Sequence, residues 1–315
     1  EGYVGNEFTV SGSDFGIITE DVKVFIGSQE AVVVSCADDA ILAKVPESAT
    51  NGKITVEVFG QRVETDLVYR VLGKPGVSVV KPSYGFPGAS IVFEGQEFVS
   101  SKTLYTLTFG TSTDKAEIVG TPTDTEFKAK IPETAVSGVM TLIMAEQTID
   151  LASYPFTVLK HATLDTPKED EPVPSGFAGS KFAITGTNLV QELLDKSVEG
   201  LEPLKVTFSK AGGEPVEAAI DTDNLTDKSI PLTVPASLEA GDYTITVITP
   251  FETIGTQLKY TVLPMPTVTG ISTKAGYINA EVTIIGQNFG TKAENIQVFF
   301  GETVCDKVTL NDKGN

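Results

Sequence analysis

The chain has 315 residues, of which 41% are hydrophobic, and a formal net charge of −19 at pH 7. That charge excludes binding driven by nucleic-acid phosphates or by an anionic membrane surface, because both need lysine and arginine. No apolar run approaches the ~20 residues of a membrane-spanning helix. The start at Glu1 shows no signal peptide, although a secreted protein looks the same once its leader has been removed.

The first predicted element is a glycine-bounded turn followed by a strand, and it occurs four times. Three glycines recur at spacings of three and seven residues, with Asn replacing the second glycine in the last copy. Asn is the residue that best replaces Gly where φ is positive. The four sets, which define copies one to four, are Gly2, Gly5, Gly12; Gly85, Gly88, Gly95; Gly176, Gly179, Gly186; and Gly276, Asn279, Gly286.

Apolar residues alternate before the third glycine of each set, which predicts a strand with one buried face. A second strand ends at a glycine 15 residues later in copies one, two and four, at Gly27, Gly110 and Gly301. Copy three reaches this strand eight residues late, after an insertion at residues 190–202 that is long enough for one short helical turn. A strand stopped by proline follows at Pro46, Pro132 and Pro235.

Short strands separated by turns every 8–12 residues predict an all-β fold of tandem immunoglobulin-like sandwiches in an elongated array. The predicted domains are residues 1–72, which lack the first strand; 73–160; 161–264, with the insertion near 190–202; and 265–315, which are incomplete. A truncated sandwich exposes its core. We therefore expect the chain to continue past Asn315, or another chain to supply the missing part.

These motifs resemble IPT/TIG domains, which are immunoglobulin-like (E-set) folds of plexins, some transcription factors and many bacterial surface proteins. The matching elements span essentially the whole chain: the Gly-x-x-Gly turn, the apolar-x-apolar-x-Gly-x-x-Phe strand, the Val-x-Phe-Gly strand and the Val-Pro strand. Tandem acidic IPT/TIG domains are similar to the stalk of a surface glycan-binding lipoprotein from a bacterial polysaccharide-utilisation system. That resemblance implies an outer-membrane lipoprotein facing the exterior, with a glycan-binding domain beyond residue 315. The implied partners are a polysaccharide or oligosaccharide and an outer-membrane transporter complex.

The sequence predicts no catalytic residue, no metal site and no cofactor. The single histidine, His161, lies at a domain junction and cannot build a triad or a histidine metal cluster alone. The cluster Asp221, Asp223, Asn224 and Asp227 opens like a calcium loop but lacks its central glycine and closing glutamate, which favours a solvated turn. Cys36 and Cys305 are 269 residues apart and are expected to be half-buried thiols in strands.

One aromatic residue lies between the first two glycines of every copy: Tyr3, Phe86, Phe177 and Tyr277. Such a ring either stacks against a ligand, or serves the repeat itself by sealing the end of the domain or packing on its neighbour. Repetition in every copy favours the second interpretation. If any residues here contact glycan, we expect them to be Tyr84 and Phe86.

The favoured function is a non-catalytic cell-surface protein that supports glycan capture, mainly as a multidomain spacer. One alternative is an adhesin or host-protein interaction module, which would show an exposed apolar patch or an unpaired edge strand. A second alternative is the accessory part of a larger secreted glycosidase.

Overall fold

The computed structural model describes residues 1–168, 171–290 and 292–310 of an all-β chain. Within these residues every helix is a single 3₁₀ turn, and none is long and apolar enough to cross a membrane. The four turns are Thr19–Asp21, Lys102–Leu104, Thr222–Asn224 and Ala293–Asn295.

Copy one folds into a six-stranded path with the order β2-β5-β4-β3-β6-β7, beside a short parallel pair of β1 and β8. Strand β4 pairs with β3 at its start and with β5 at its end, and its register shifts between Val33 and Ser35. Strand β4 therefore links the ladder of β2 and β5 to the ladder of β3, β6 and β7. The strands are β1 (Gly2–Tyr3), β2 (Glu7–Ser11), β3 (Val22–Ile26), β4 (Gln29–Ala37), β5 (Ala40–Lys44), β6 (Gly52–Val58), β7 (Gln61–Tyr69) and β8 (Val71–Leu72).

Copy two forms two sheets, ordered β13-β14-β11-β9 and β10-β17-β15-β12, with β16 paired to β15. Their facing sides bury a core in which the rings of Phe93 and Phe127 stack with centroids 4.5 Å apart. The strands are β9 (Gly76–Lys81), β10 (Tyr84–Gly85), β11 (Ser90–Gln96), β12 (Tyr105–Phe109), β13 (Glu117–Val119), β14 (Glu126–Lys130), β15 (Gly138–Met144), β16 (Gln147–Ile149) and β17 (Pro155–Val158).

Copy three repeats this plan, with sheets ordered β18-β20-β24-β23 and β19-β26-β25-β21-β22. Its strands are β18 (Thr163–Leu164), β19 (Ser175–Gly176), β20 (Lys181–Thr187), β21 (Lys205–Ser209), β22 (Val216–Glu217), β23 (Ala219–Ile220), β24 (Ser229–Thr233), β25 (Gly241–Ile248) and β26 (Thr253–Val262). The insertion is long enough for a helical turn but does not form one. Residues 190–202 contain turns and bends only, and the carboxylate of Asp195 binds the backbone N–H of Ser197 across a turn.

The described part of copy four contains two antiparallel pairs: β27 (Thr267–Ile271) with β28 (Ile284–Gln287), and β29 (Phe299–Phe300) with β30 (Thr303–Val304). Phe299 and Phe300 are both more than half exposed. The division of the chain into four domains stays a prediction. In the structure two compact units are distinct: residues 1–161 with 192–200, and residues 162–191 with 201 onward.

The glycine pattern has two physical causes. The second position of each set needs a left-handed backbone: φ is 84° at Gly5, 83° at Gly88, 82° at Gly179 and 68° at Asn279, which confirms the predicted Asn-for-Gly exchange. The third position allows close approach. At Gly95, Gly186 and Gly286 a Cβ would lie under 3.0 Å from a backbone oxygen of the first strand of the same copy.

Copy one differs from the other copies at the sheet edge beside the third glycine. The first strands of the other copies, β9, β18 and β27, pair with the strand that carries the third glycine. Among the residues the structure describes, β2 pairs only with β5. The ring of Phe15 lies over Gly12, as Phe98 lies over Gly95 and Phe289 over Gly286.

In the first unit, copy one packs against copy two through a buried joint. Tyr3 is 3% exposed and, with Leu72, belongs to the core of copy two. The Tyr3 hydroxyl donates to the carbonyl oxygen of Glu97 at 2.5 Å. The Asn6 amide donates to the carbonyl oxygen of Ala145 at 3.0 Å, while its Oδ1 accepts from the backbone N–H of Tyr3 at 2.9 Å.

Charged groups surround this buried contact. Arg70 lies 3.5 Å from Glu1 and 3.3 Å from Asp124, and the Glu1 carboxylate accepts a hydrogen bond from the backbone N–H of Ser100. The backbone N–H of Gly73, in the linker, donates to the Glu97 carboxylate at 3.0 Å. Since the linker and both sandwiches take part, the joint between copies one and two is a packed interface and not a flexible tether.

Candidate binding surface

The turn that carries Tyr84 and Phe86 is held by backbone pairing. Strand β10 pairs in parallel with β17, and Tyr84 lies opposite Thr157. The backbone N–H of Gly88 donates to the Ile131 carbonyl at 2.8 Å. A Cβ at Gly85 would lie under 3.0 Å from the Ile131 side chain. The turn is therefore fixed against the copy-two core, and both aromatic side chains are half-buried.

Phe86 stacks on His161. Their ring centroids are 4.2 Å apart and their planes differ by 2°. His161, which the sequence places at a domain junction, is exposed and belongs to the first compact unit. One face of Phe86 is therefore already covered, so a sugar ring can stack only on its opposite face.

The insertion of copy three supplies polar groups beside this turn. Residues 192–200 belong to the first unit, and the backbone N–H of Leu194 donates to Thr157 Oγ1 at 2.7 Å. The Asp195 carboxylate accepts from the Ser197 hydroxyl at 2.6 Å and from the Ser197 backbone N–H at 3.0 Å. These two hydrogen bonds from Ser197, with a smaller contribution from Ser83 in the turn, hold the pKa of Asp195 below its usual range.

A pH dependence follows from Asp195. Because its pKa is lower in the folded protein, its contribution is complete above the unfolded value, about 3.9, and is lost as the pH falls through the folded value. We expect faster hydrogen exchange in residues 192–200 when the pH falls from 6 to 3, after correction for intrinsic rates. In the Asp195→Asn variant the acceleration of hydrogen exchange between pH 6 and pH 3 should vanish. If the variant shows the same acceleration as the wild type, the pH dependence does not come from Asp195.

The equivalent aromatic residues have different surroundings. Tyr3 is buried in the joint, which confirms for this copy that the ring packs against the neighbouring domain. Phe177 is 37% exposed and Tyr277 is 94% exposed. The structure therefore gives the repeated aromatic position a packing role in copy one, and the assignment of Tyr84 and Phe86 to glycan binding stays a prediction.

The structure also places the remaining candidates from the sequence. Among the described residues, no group of three or more His, Cys, Asp or Glu side chains is placed to hold a metal ion. At the acidic cluster, the Asn224 amide donates to the Asp221 carboxylate at 3.1 Å within a 3₁₀ turn. Cys36 and Cys305 are half-buried free thiols, as predicted, although Cys305 follows β30 and does not lie in a strand.

Sequence reasoning missed a second polar surface, on the outer face of β3, β6 and β7. A shallow groove of about 510 Å³ is lined by Gly27, Ser28, Thr55, Arg62 and Glu64. The Arg62 guanidinium lies 4.3 Å from the ring centroid of Phe25, which points outward from β3. The alternation Val22-Lys23-Val24-Phe25-Ile26 was the available signal, because it places a single aromatic residue on the solvent face of a strand.

The shifted pKa values of the joint do not describe a catalytic centre. Burial raises the pKa of Tyr3 above its ordinary value, and the carboxylates of Glu97 and Glu1 add to this rise. Burial likewise raises the pKa of Tyr69 to about 12. These hydroxyls stay protonated, and that of Tyr3 serves as a hydrogen-bond donor inside a packed interface.

Comparison with known proteins matches two parts of the chain to a domain family. The IPT/TIG domain family matches residues 1–70 and 266–314. The match leaves out residues 71–265, where the likeness rests on the glycine pattern. Human Fibrocystin-L is 26% identical over 193 residues, which cover 60% of this chain and 4% of that protein.

Two solved structures are reported among those similar to this chain. The Plexin A4 extracellular region is 14% identical and has a TM-score of 0.41, over 98% of this chain and 27% of that one. A Bacteroides ovatus protein, SGBP-B of a mixed-linkage glucan utilization locus, was solved with a mixed-linkage heptasaccharide. It is 20% identical and has a TM-score of 0.24, over 85% of this chain and 66% of that one. The chain thus spans only a small part of the curated relative and about a quarter of the plexin chain.

Proposed function

We propose that this chain, in which residues 1–70 and 266–314 match the IPT/TIG domain family, is part of a non-catalytic cell-surface protein that supports polysaccharide capture. Its main role is that of a spacer. The observation that carries the proposal is the joint between copies one and two, where Tyr3 and Leu72 enter the neighbouring core. A spacer must resist bending, and a shared core removes the freedom that an open linker leaves.

The surface charge fits this role. With 42 acidic and 23 basic residues, neighbouring copies of the protein repel one another at short range. The finer part of the proposal follows the resemblance to glycan-binding stalks: an outer-membrane lipoprotein that faces the exterior and works beside a transporter complex. A glycan-binding domain beyond residue 315 would then carry the main affinity for polysaccharide.

The spacer role is tested by the distance distribution across the joint. Two spin labels, attached through Lys23→Cys in copy one and Lys102→Cys in copy two, lie on exposed positions of the first unit. Cys36→Ser and Cys305→Ser remove the natural thiols. We expect a single narrow distribution in electron paramagnetic resonance, and a broad one would contradict a stiff spacer.

Direct glycan contact is a separate prediction for Tyr84 and Phe86. If this chain binds polysaccharide itself, Phe86→Ser should weaken binding about tenfold, or ~1.4 kcal/mol, in affinity electrophoresis against xyloglucan, mixed-linkage glucan and xylan. Tyr84→Ser should weaken it in the same assay. Phe177→Ser is the matched control, because Phe177 holds the equivalent position in copy three. Equal loss in the Phe86 and Phe177 variants would contradict a site at Tyr84 and Phe86.

One observation favours the adhesin alternative. Strand β7 is an edge of its sheet and carries the exposed side chains of Val63, Leu67 and Val68. An apolar edge strand is a template for pairing with a strand of another protein. Capture of a purified host protein by the whole chain, together with no binding to any polysaccharide by a C-terminally extended chain, would replace the glycan proposal with this one.

A further inference from the structure

Copy two receives copy one on a surface with two parts. The first part is the loop of residues 97–101, in which the Glu97 carbonyl accepts the Tyr3 hydroxyl. The second part is the turn between β15 and β16, in which the Ala145 carbonyl accepts the Asn6 amide. Val99 and Ala145 are 0% and 7% exposed there. We call this pair of elements the receiving surface of copy two.

Copy one has the same two elements, and their backbones agree at the positions that carry the acceptors, although Gly16 has φ of 77° where its counterpart Val99 has no positive φ. Asp14 matches Glu97, with φ of 62° and 56°. The turn residues Phe59 and Gly60 match Ala145 and Glu146, with φ of 48° and 76° against 44° and 68°. The anchoring hydrogen bonds also match, since Phe59 N–H donates to Asp21 O at 3.0 Å and Ala145 N–H donates to Leu104 O at 2.9 Å. Residues 14–18 and 59–60 are therefore the receiving surface of copy one.

This surface is more apolar than its counterpart, and it is exposed. Ile17, Ile18 and Phe59 are 79%, 51% and 69% exposed. The loop and the turn are neighbours, because a Cβ at Gly16 would lie 4.0 Å from the Phe59 ring. Among the described residues, no side chain donates a hydrogen bond to the carbonyl of Asp14 or of Phe59, the two groups that match the occupied acceptors of copy two. Three large exposed apolar side chains beside two open acceptors form a typical docking surface.

We propose that the receiving surface of copy one binds a further IPT/TIG domain in tandem, in the orientation in which copy two binds copy one. The partner presents an opening turn with a tyrosine and an asparagine spaced like Tyr3 and Asn6. Its tyrosine hydroxyl donates to the Asp14 carbonyl, its asparagine amide donates to the Phe59 carbonyl, and its apolar residues cover Ile17 and Phe59. These contacts are hydrogen bonds between neutral groups and apolar packing, so none of them needs a charged residue on the partner.

The test supplies such a domain at the natural spacing. Copies one and two are offset by 83 residues at their glycine turns. Residues 1–83 are therefore placed ahead of Glu1 of the whole chain, with Cys36→Ser in both copies and Cys305→Ser. A thiol is introduced by Phe59→Cys in the original copy one only, and its labelling by a maleimide is timed with and without the added residues. We expect labelling to slow at least tenfold in the extended protein.

Three matched variants make the result decisive. Ala145→Cys in the unextended chain sets the rate for an occupied receiving surface. Tyr3→Ala with Asn6→Ala, made only in the added copy, should restore fast labelling at position 59. Ala43→Cys in the added copy reports its folding, because Ala43 is fully buried.

Each other outcome overturns the proposal. Equal labelling with and without a folded added copy means that the surface does not accept the domain. An added copy whose position 43 labels fast also counts against it, because the same residues fold in the natural chain on a surface of this design. If labelling of the unextended chain slows as its concentration rises, a second copy of the chain occupies the surface instead. None of these results bears on polysaccharide binding.

Discussion

The Gly95→Ala variant is expected to lose about 3 kcal/mol of the free energy of unfolding of copy two. A methyl group at this position would lie under 3.0 Å from both the Gly76 carbonyl and the Phe98 ring. Gly76 belongs to β9, the first strand, and Phe98 is fully buried. Neither can yield without cost, because moving β9 breaks its ladder with β11 and moving Phe98 opens the core.

Native-state hydrogen exchange of β9 and β11 measures this loss locally, which matters in a chain of several domains. The matched control is Gly120→Ala in the same copy. Gly120 has φ of 72°, and no atom lies within 4 Å of the position that a Cβ would take there. Alanine at position 120 therefore loses only the free energy needed to hold a residue with a Cβ in the left-handed region, about 1–2 kcal/mol. A loss at Gly120 as large as that at Gly95 would mean that backbone conformation, and not close approach, explains the third glycine.

Local patterns predicted the strands well because each sandwich repeats the same steric demands. The alternation before Gly95 gave the buried side of β11, and the Asn279 exchange was read correctly from φ preferences alone. Strands that end at Pro46, Pro132 and Pro235 were equally visible, since proline cannot donate to a ladder. What these elements share is that their cause lies within a few residues along the chain.

The joint and the surface around Phe86 depend on contacts between distant residues. Nothing near Tyr3 shows that its hydroxyl reaches Glu97, 94 residues away, because that acceptor is a backbone oxygen exposed by a left-handed φ. The stacking of His161 on Phe86 joins residues 75 positions apart. Aligning the copies with one another matches Asp14 with Glu97, and this match was available from the sequence. Only the structure shows that the receiving surface of copy two is occupied by copy one.

Replacing Tyr3 with alanine should uncouple copy one from copy two. Removing a buried aromatic side chain costs about 3–5 kcal/mol when the cavity does not collapse, and Tyr3 lies in the core of copy two together with Leu72. We expect copy one to unfold in a separate, earlier calorimetric transition. The spin-label distance distribution between positions 23 and 102 should broaden in the same variant.

Tyr3→Phe is the control that separates packing from the hydrogen bond. It keeps the ring but leaves the Glu97 carbonyl without the hydroxyl donor, which costs about 1–3 kcal/mol. Burial raises the pKa of Tyr3, so its neutral hydroxyl stabilises the joint fully below the unfolded value near 10. This contribution is lost as the pH rises further towards the folded value. Above pH 10 the stability of the joint between copies one and two should therefore fall more steeply in the wild type than in Tyr3→Phe. If copies one and two still unfold in one common transition in Tyr3→Ala and the distance distribution stays narrow, the stiffness of the joint comes from the linker and its ion pairs, and not from the shared core.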